Sequence, residues 1–131
     1  VSLSTDKLSV SYQQQTVINA LDLSLPAGRV SVLIGSNGCG KSTLLKAMAR
    51  LLTPQSGRVI LDGLDIHASA TQQVAQKLAI LPQTPIAPEG ITVRQLVSLG
   101  RFPWQNWLRQ WSEEDDQQVN EALRLTGTAA L

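Results

Sequence analysis

The sequence predicts an α/β fold: antiparallel strands first, then buried parallel core strands with a helix after a glycine loop, then the beginning of a small helical lobe. Three observations carry that expectation. Leu3 to Tyr12 and Val17 to Leu25 partly alternate apolar and polar residues, as half-buried strands do. The run from Val30 to Leu52 reads as strand, glycine loop and helix, in that order. Phe102, Trp104, Trp107 and Trp111, all but one of the aromatics, fall in one short stretch and separate an aliphatic first part from a different second part. Domains are therefore expected at residues 1–85 and 86–131, the second a helical subdomain.

The first strand ends at Tyr12, and Gln13 to Thr16 form a polar turn before the second. Pro26, Ala27 and Gly28 punctuate the end of that second strand. Val30 to Ile34 is short, β-branched and largely apolar, as a strand buried on both faces should be. After the glycine loop, Leu44, Leu45, Met48, Leu51 and Leu52 stand at helical spacing, and Thr53-Pro54 ends that helix. Val59 to Leu61 is a strand, Asp62-Gly63 a turn dipeptide, and Leu64 to Ile66 the returning strand. A helix near Ala70 to Gln76 leads to a second buried-type strand, Leu78 to Leu81. Thr92 with Gln95 is a capping-box pattern opening a helix over Val93 to Leu99. Ser112 with Asp115 caps a last helix, running to about Leu125 with Gly127 as its stop. The acids Glu113 to Asp116 read as its solvated first turn.

Composition bounds the function. The chain has 131 residues, 43% of them apolar, with a formal net charge of +1, so bulk charge points to neither disorder nor a polyanion partner. A single cysteine, no charged-then-apolar leader and no apolar run of about 18 residues read as a soluble cytosolic chain.

The chemistry concentrates in "GSNGCGKST". Gly35 to Ser42 fits G-x-x-x-x-G-K-[ST] at every fixed position, between a predicted buried strand and a predicted helix. In that context Gly35, Ser36, Asn37, Gly38, Cys39 and Gly40 turn backbone N–H groups on a common centre, and the helix N-terminus beginning with Lys41, Ser42 and Thr43 adds positive charge there. Lys41 can reach the terminal phosphates of a nucleotide, and the Ser42 hydroxyl can take a Mg²⁺ position. Cys39 is either a small residue that fits or a reactive thiol beside a lysine and a helix N-terminus. His67 has no second His or Cys nearby and no case as a metal ligand.

Read together, "SVSYQQQTVINALDLSLPAGRVSVLIGSNGCGKSTLLKAMARLLTPQSGRVILDG" and "LAILPQ" resemble the nucleotide-binding subunit of ABC transporters, over essentially the whole chain. The resemblance implies ATP and Mg²⁺ as cofactors. It implies that Tyr12 stacks on the adenine ring and that Gln83 is the Q-loop glutamine, touching Mg²⁺ and the surroundings of the attacking water. Lys41 and Gln83 then take catalytic roles, and Ser42 and Gln83 the metal. The implied partners are a second copy of the subunit, membrane permease subunits and, indirectly, a periplasmic binding protein. No nucleic acid is implied, and the place is the cytoplasmic face of a bacterial inner membrane. "APEGITVRQLVSLGRFPW" resembles the ATPases of importers for iron chelates, haem and cobalamin, with an iron(III) siderophore or iron citrate as leading cargo.

The family's Walker B strand ending in Asp-Glu, its switch histidine and its Leu-Ser-Gly-Gly-Gln signature do not occur in these residues. Asp62 is a decoy: the following Gly63 makes it a turn. The resemblance thus reads as roughly the N-terminal half of such an ATPase, binding nucleotide weakly or not at all and hydrolysing none alone. Two other readings stay open: a soluble ABC ATPase acting on ribosomes or DNA, and a non-catalytic truncated interaction domain. Trp104, Trp107 and Trp111 would share one face if helical, either packing the small lobe or facing a partner.

Overall fold

The computed structural model describes residues 2–130, which divide into two compact units meeting between Ile80 and Leu81. The first unit holds a four-stranded antiparallel sheet in the order β2-β1-β3-β4: β1 Leu3–Tyr12, β2 Gln15–Leu25, β3 Ser56–Leu61 and β4 Leu64–Asp65. Two tight hairpins set its registers. Gln13 and Gln14 both take positive φ, 48° and 67°, and so do Asp62 and Gly63, 50° and 80°. This is the paired left-handed turn whose twist matches that of flanking strands. Asp62 is thus a turn residue; its carboxylate accepts from the Ser2 N–H at 2.8 Å and from Lys77 at 2.7 Å.

β1 carries one extra residue against both neighbours. Lys7, at φ 45°, is left over where Thr5 pairs with Leu23 and Leu8 with Leu21, and again where Asp6 pairs with Arg58 and Ser9 with Ser56. A bulge frees backbone groups, and side chains satisfy them. The Lys7 N–H donates to Asp22 at 2.7 Å. Buried Thr5 donates to the Leu21 carbonyl at 2.8 Å and accepts from the Leu23 N–H at 2.9 Å. Gly57 answers the same bulge from β3.

Between the strands in sequence come the helices α1, Lys41–Met48, and, after β4, α2, Thr71–Ala75. Leu44, Ala47 and Met48 of α1 enter one core with Leu8, Val10, Ile18, Val59, Leu61, Ile66 and Val74. The predicted helix to Leu52 stops earlier. Arg50 turns left-handed at φ 63°, its N–H donating to the Ala47 carbonyl and that of Leu51 to the Lys46 carbonyl, at 3.1 and 2.8 Å. That is the Schellman ending, here built without glycine.

The two predicted parallel strands do not form ladders. Val30 to Ile34 and Leu78 to Leu81 are irregular, with Val30 93%, Ile34 92% and Leu81 86% exposed. A parallel strand is defined by hydrogen-bonded neighbours and by cover on both faces. Among the described residues these two segments have neither.

The second unit holds α3, Val93–Ser98, a 3-10 helix over Leu99–Trp104, and α4, Glu113–Leu125. α3 and α4 both open on complete capping boxes, Thr92 with Gln95 and Ser112 with Asp115, and Gly127 ends α4 at φ 68°. Arg94 of α3 reaches α4 at Asp116 and Asn120, 2.9 and 2.6 Å away. The predicted tryptophan stripe is not helical. Trp104 ends the 3-10 helix, whereas Trp107 and Trp111 lie in the irregular stretch before α4, where the Asn106 side chain accepts from the N–H groups of Leu108 and Arg109 and makes a turn. The acidic first turn is not wholly solvated either: Asp115 is 1% exposed, paired with Arg101 at 2.7 Å.

A β-carbon at Gly57 would stand 2.2 Å from the Lys7 carbonyl oxygen, whereas one at Gly28 meets nothing within 4 Å, although both residues have positive φ. Gly57→Ala should therefore cost well over the ~1 kcal/mol expected of Gly28→Ala from backbone conformation alone. Equal losses in denaturant unfolding would sink this account of the bulge. In the second unit, the hydrogen bond from Arg101, reinforced by those from Ser112, outweighs burial and holds the Asp115 carboxyl below its ordinary range. Its stabilisation is present above the unfolded-state pKa of about 3.9 and is lost as pH falls through the lower folded-state value. Asp115→Asn should flatten the acid limb of stability against pH; parallel curves for parent and variant would contradict it.

Candidate phosphate-binding site

The glycine loop, residues 35–40, runs from the irregular Val30–Ile34 segment into α1. Gly38 and Gly40 take φ of 80° and 98°, which side chains resist. Gly40 is also sterically fixed, since a β-carbon there would come 2.9 Å from Cγ1 of Val17 on β2. At Gly35 a β-carbon would lie 2.8 Å from the Cys39 Sγ. The pattern therefore needs its glycines for three separate reasons: turn conformation, contact with β2, and room for the thiol.

Lys41 is folded over this loop. Its Nζ donates to the Gly35 carbonyl at 2.7 Å and to the Ser36 carbonyl at 2.6 Å, with the Cys39 Sγ at 3.7 Å. An ammonium has three donors, and two of them orient the group while its charge stays inside the loop. Ser36 to Cys39 are exposed; the Cys39 N–H donates to the Ser36 carbonyl at 3.4 Å across the loop.

α1 begins differently from the helices of the second unit. Its N-cap is Gly40, no side chain caps it, and its first turn, Lys41, Ser42 and Thr43, contains no acid. α3 and α4 spend serine, threonine, glutamine and aspartate on their first N–H groups. A helix start that keeps its N–H groups and adds a lysine is built to receive an anion. The residues present fit a nucleotide's phosphates.

Tyr12 is 54% exposed and pairs with Gln15 at the closed end of the β1–β2 hairpin. Val17, two residues past Gln15, touches the glycine loop through Gly40, so Tyr12 belongs to the strand pair that borders the site. A cavity of about 280 Å³ lies along this border, lined by Val17, Ile18, Leu33, Cys39, Gly40 and Lys41 among others. Another of about 290 Å³, between the β3–β4 hairpin and α2, contains none of the predicted site residues. Gln83 is exposed in the irregular stretch of the second unit. Among the described residues no group of three or more His, Cys, Asp and Glu side chains could hold a metal. The ring Nε2 of His67 lies 3.1 Å from the Leu52 carbonyl, a structural contact.

Sequence reasoning missed two residues that matter here. Val17 looked like any strand valine, and only the missing side chain at Gly40 hinted at a close neighbour. Asp115 was visible as a capping residue, but its ion pair with Arg101 has no local signature.

The chain is similar to known proteins. The achromobactin transport ATP-binding protein CbrD of Dickeya dadantii is 64% identical over 99% of this chain and 48% of its own length. The probable siderophore transport system ATP-binding protein YusV of Bacillus subtilis is 54% identical over 95% of this chain and 46% of its own. The chain thus spans about half the length of the curated relatives it matches. A solved ATP-binding subunit of an ABC transporter superposes with a TM-score of 0.79 at 25% identity, over 98% of this chain and 51% of that one. No described helix is long and apolar enough to cross a membrane. A family model described as ABC transporter matches residues 18–131, and the chain belongs to that family.

Proposed function

We propose that this chain is the nucleotide-binding part of the ATP-binding subunit of an importer for an iron chelate, working at the cytoplasmic face of a bacterial inner membrane. The single observation that carries nucleotide binding is the uncapped start of α1 with Lys41 folded over the loop before it. The cargo class rests on relatives named for achromobactin and siderophore transport. In this reading the loop N–H groups and Lys41 hold the β- and γ-phosphates of ATP, and Tyr12 stacks on the adenine. Ser42 supplies one oxygen to Mg²⁺, which ordinarily takes only one or two protein ligands beside phosphate and water. Gln83 would be, by resemblance alone, the Q-loop glutamine. Mg²⁺ neutralises charge on the transferred phosphoryl group when bound. This chain's own residues bind and orient the nucleotide.

Hydrolysis needs a carboxylate on the metal and a group that orients the attacking water. No family motif of either kind occurs in these residues, so the 131-residue chain alone is proposed to bind nucleotide at most and to hydrolyse none. The whole protein is proposed to dimerise around two ATP molecules and to drive permease subunits.

In the protein as expressed from its gene, Lys41→Ala should weaken Mg-ATP binding about tenfold or more, the loss of a charge-assisted contact of about 1.5–3 kcal/mol. An affinity within about twofold of the parent would remove Lys41 from the site. Cys39, exposed and 3.7 Å from the Lys41 Nζ, should be alkylated more slowly when Mg-ATP is bound. Equal rates with and without nucleotide would place the phosphates elsewhere.

A further inference from the structure

Asparagine is a thermolabile residue, most of all before glycine, whose nitrogen has no side chain beside it to block attack on the asparagine amide carbon. The chain has four asparagines, Asn19, Asn37, Asn106 and Asn120, and Asn37 alone precedes a glycine, Gly38.

The structure separates Asn37 from the others. The nitrogen after Asn19 is that of Ala20, and its N–H donates to the Ser9 Oγ at 2.9 Å. Asn106 is followed by bulky Trp107, and its Oδ1 accepts from the N–H groups of Leu108 and Arg109. Asn120 lies inside α4, where the next N–H belongs to the helix ladder, and its Oδ1 accepts from Arg94 at 2.6 Å. Asn37 and Gly38 are instead the exposed central residues of the turn that the Cys39 N–H closes on the Ser36 carbonyl. Among the described residues neither the Asn37 amide nor the Gly38 N–H has a hydrogen-bond partner. A β-carbon built at Gly38 meets nothing within 4 Å, so water reaches the pair. Asp62-Gly63 is the matching acid pair, but Ser2 and Lys77 hold its carboxylate, and an ionised carboxylate resists such attack.

We propose that Asn37 is a deamidation site of the nucleotide-free protein, and that the carboxylate formed there weakens the hold of the glycine loop on phosphate. The Gly38 nitrogen loses its proton and bonds to Cγ of Asn37; the Cγ–Nδ2 bond breaks and ammonia leaves, giving a cyclic succinimide. A water molecule then opens the ring. Cleavage at Cγ leaves aspartate, and cleavage at the main-chain carbonyl carbon leaves isoaspartate, whose main chain runs through the side-chain carbons. The sum is amide plus water giving acid plus ammonia. Either product sets a negative charge next to Ser36, whose carbonyl accepts from the Lys41 Nζ at 2.6 Å, and so competes with an anionic ligand for that ammonium. A bound phosphate that engages the Gly38 N–H keeps the nitrogen protonated and slows the reaction. This protection and the loss of affinity rest on the nucleotide reading, whereas the deamidation itself does not.

The test ages the protein expressed from its gene at mildly alkaline pH, with and without saturating Mg-ATP. Peptide mass spectrometry follows the appearance of acid at each asparagine, and Mg-ATP affinity is measured before and after. In the empty protein Asn37 should convert about tenfold or more faster than any of the other three. Saturating Mg-ATP should slow that conversion about fivefold or more. The aged protein, like fresh Asn37→Asp, should bind Mg-ATP about tenfold less tightly than the fresh parent. Asn37→Gln, which would have to close a larger ring, should keep through ageing whatever affinity it starts with. Conversion at Asn37 no faster than at the other asparagines overturns the proposal, as do equal rates with and without saturating Mg-ATP. An aged protein rich in acid at residue 37 that binds Mg-ATP within about twofold of the fresh one overturns it too. A fresh parent that binds no Mg-ATP would instead remove the nucleotide reading, and the mass readout would still decide the deamidation.

Discussion

Gly40 stands so close to β2 that its missing β-carbon decides where the glycine loop can go. With Val17 Cγ1 only 2.9 Å from that position, the last glycine of the loop is pressed onto the strand that begins just past Tyr12. α1 starts at the next residue, which sends Leu44, Ala47 and Met48 into the core beside Leu8, Val10 and Ile18. Loop, helix and hairpin are therefore one mechanical unit. A displacement of β2 moves the phosphate cradle, and the direction of α1 fixes where Lys41 can reach.

The sheet that supports this contact is irregular, and its irregularity is compensated by side chains. The extra residue at Lys7 twists β1 against both neighbours. Thr5 and Asp22 then return hydrogen bonds to the displaced backbone, and Ser9 does the same at a second irregularity, on β2, accepting from the Ala20 N–H at 2.9 Å. An unsatisfied buried amide costs about 1–3 kcal/mol, so the partly buried pair of bonds at Thr5 matters most, whereas those of Asp22 and Ser9 lie at the surface. Gly57 belongs to the same arrangement from the other side. The bulge and its glycine form a pair across two strands, which no local pattern in the sequence displays.

How far the sequence could be read depends on the range of each interaction. The capping boxes at Thr92 and Ser112, the Asp62-Gly63 turn and the Gly127 stop are written within a few neighbouring residues, and the structure contains all four. The glycine loop is similarly local, and the helix expected after it begins at Lys41. Val30–Ile34 and Leu78–Leu81 are the instructive differences. Their composition states that they suit burial on both faces, but composition cannot supply the neighbouring strands that make a ladder. The tryptophan stripe differs for a related reason: spacing of three and four residues implies a face only if the backbone is helical, and residues 105–112 are irregular.

The same distinction separates the glycine loop from the ion pair of the second unit. The candidate phosphate site is made of contiguous residues, so one pattern can announce it. The Arg101–Asp115–Trp104 cluster joins positions 14 residues apart, and each partner alone looks ordinary: an arginine after a glycine, an acid in a first turn, a tryptophan after a proline. Asp115 shows how both levels share a residue. Its Oδ2 completes the helix cap on Ser112 while its Oδ1 accepts from Arg101, so the carboxylate that begins α4 also fixes the 3-10 helix on it. Removing its charge loosens both at once.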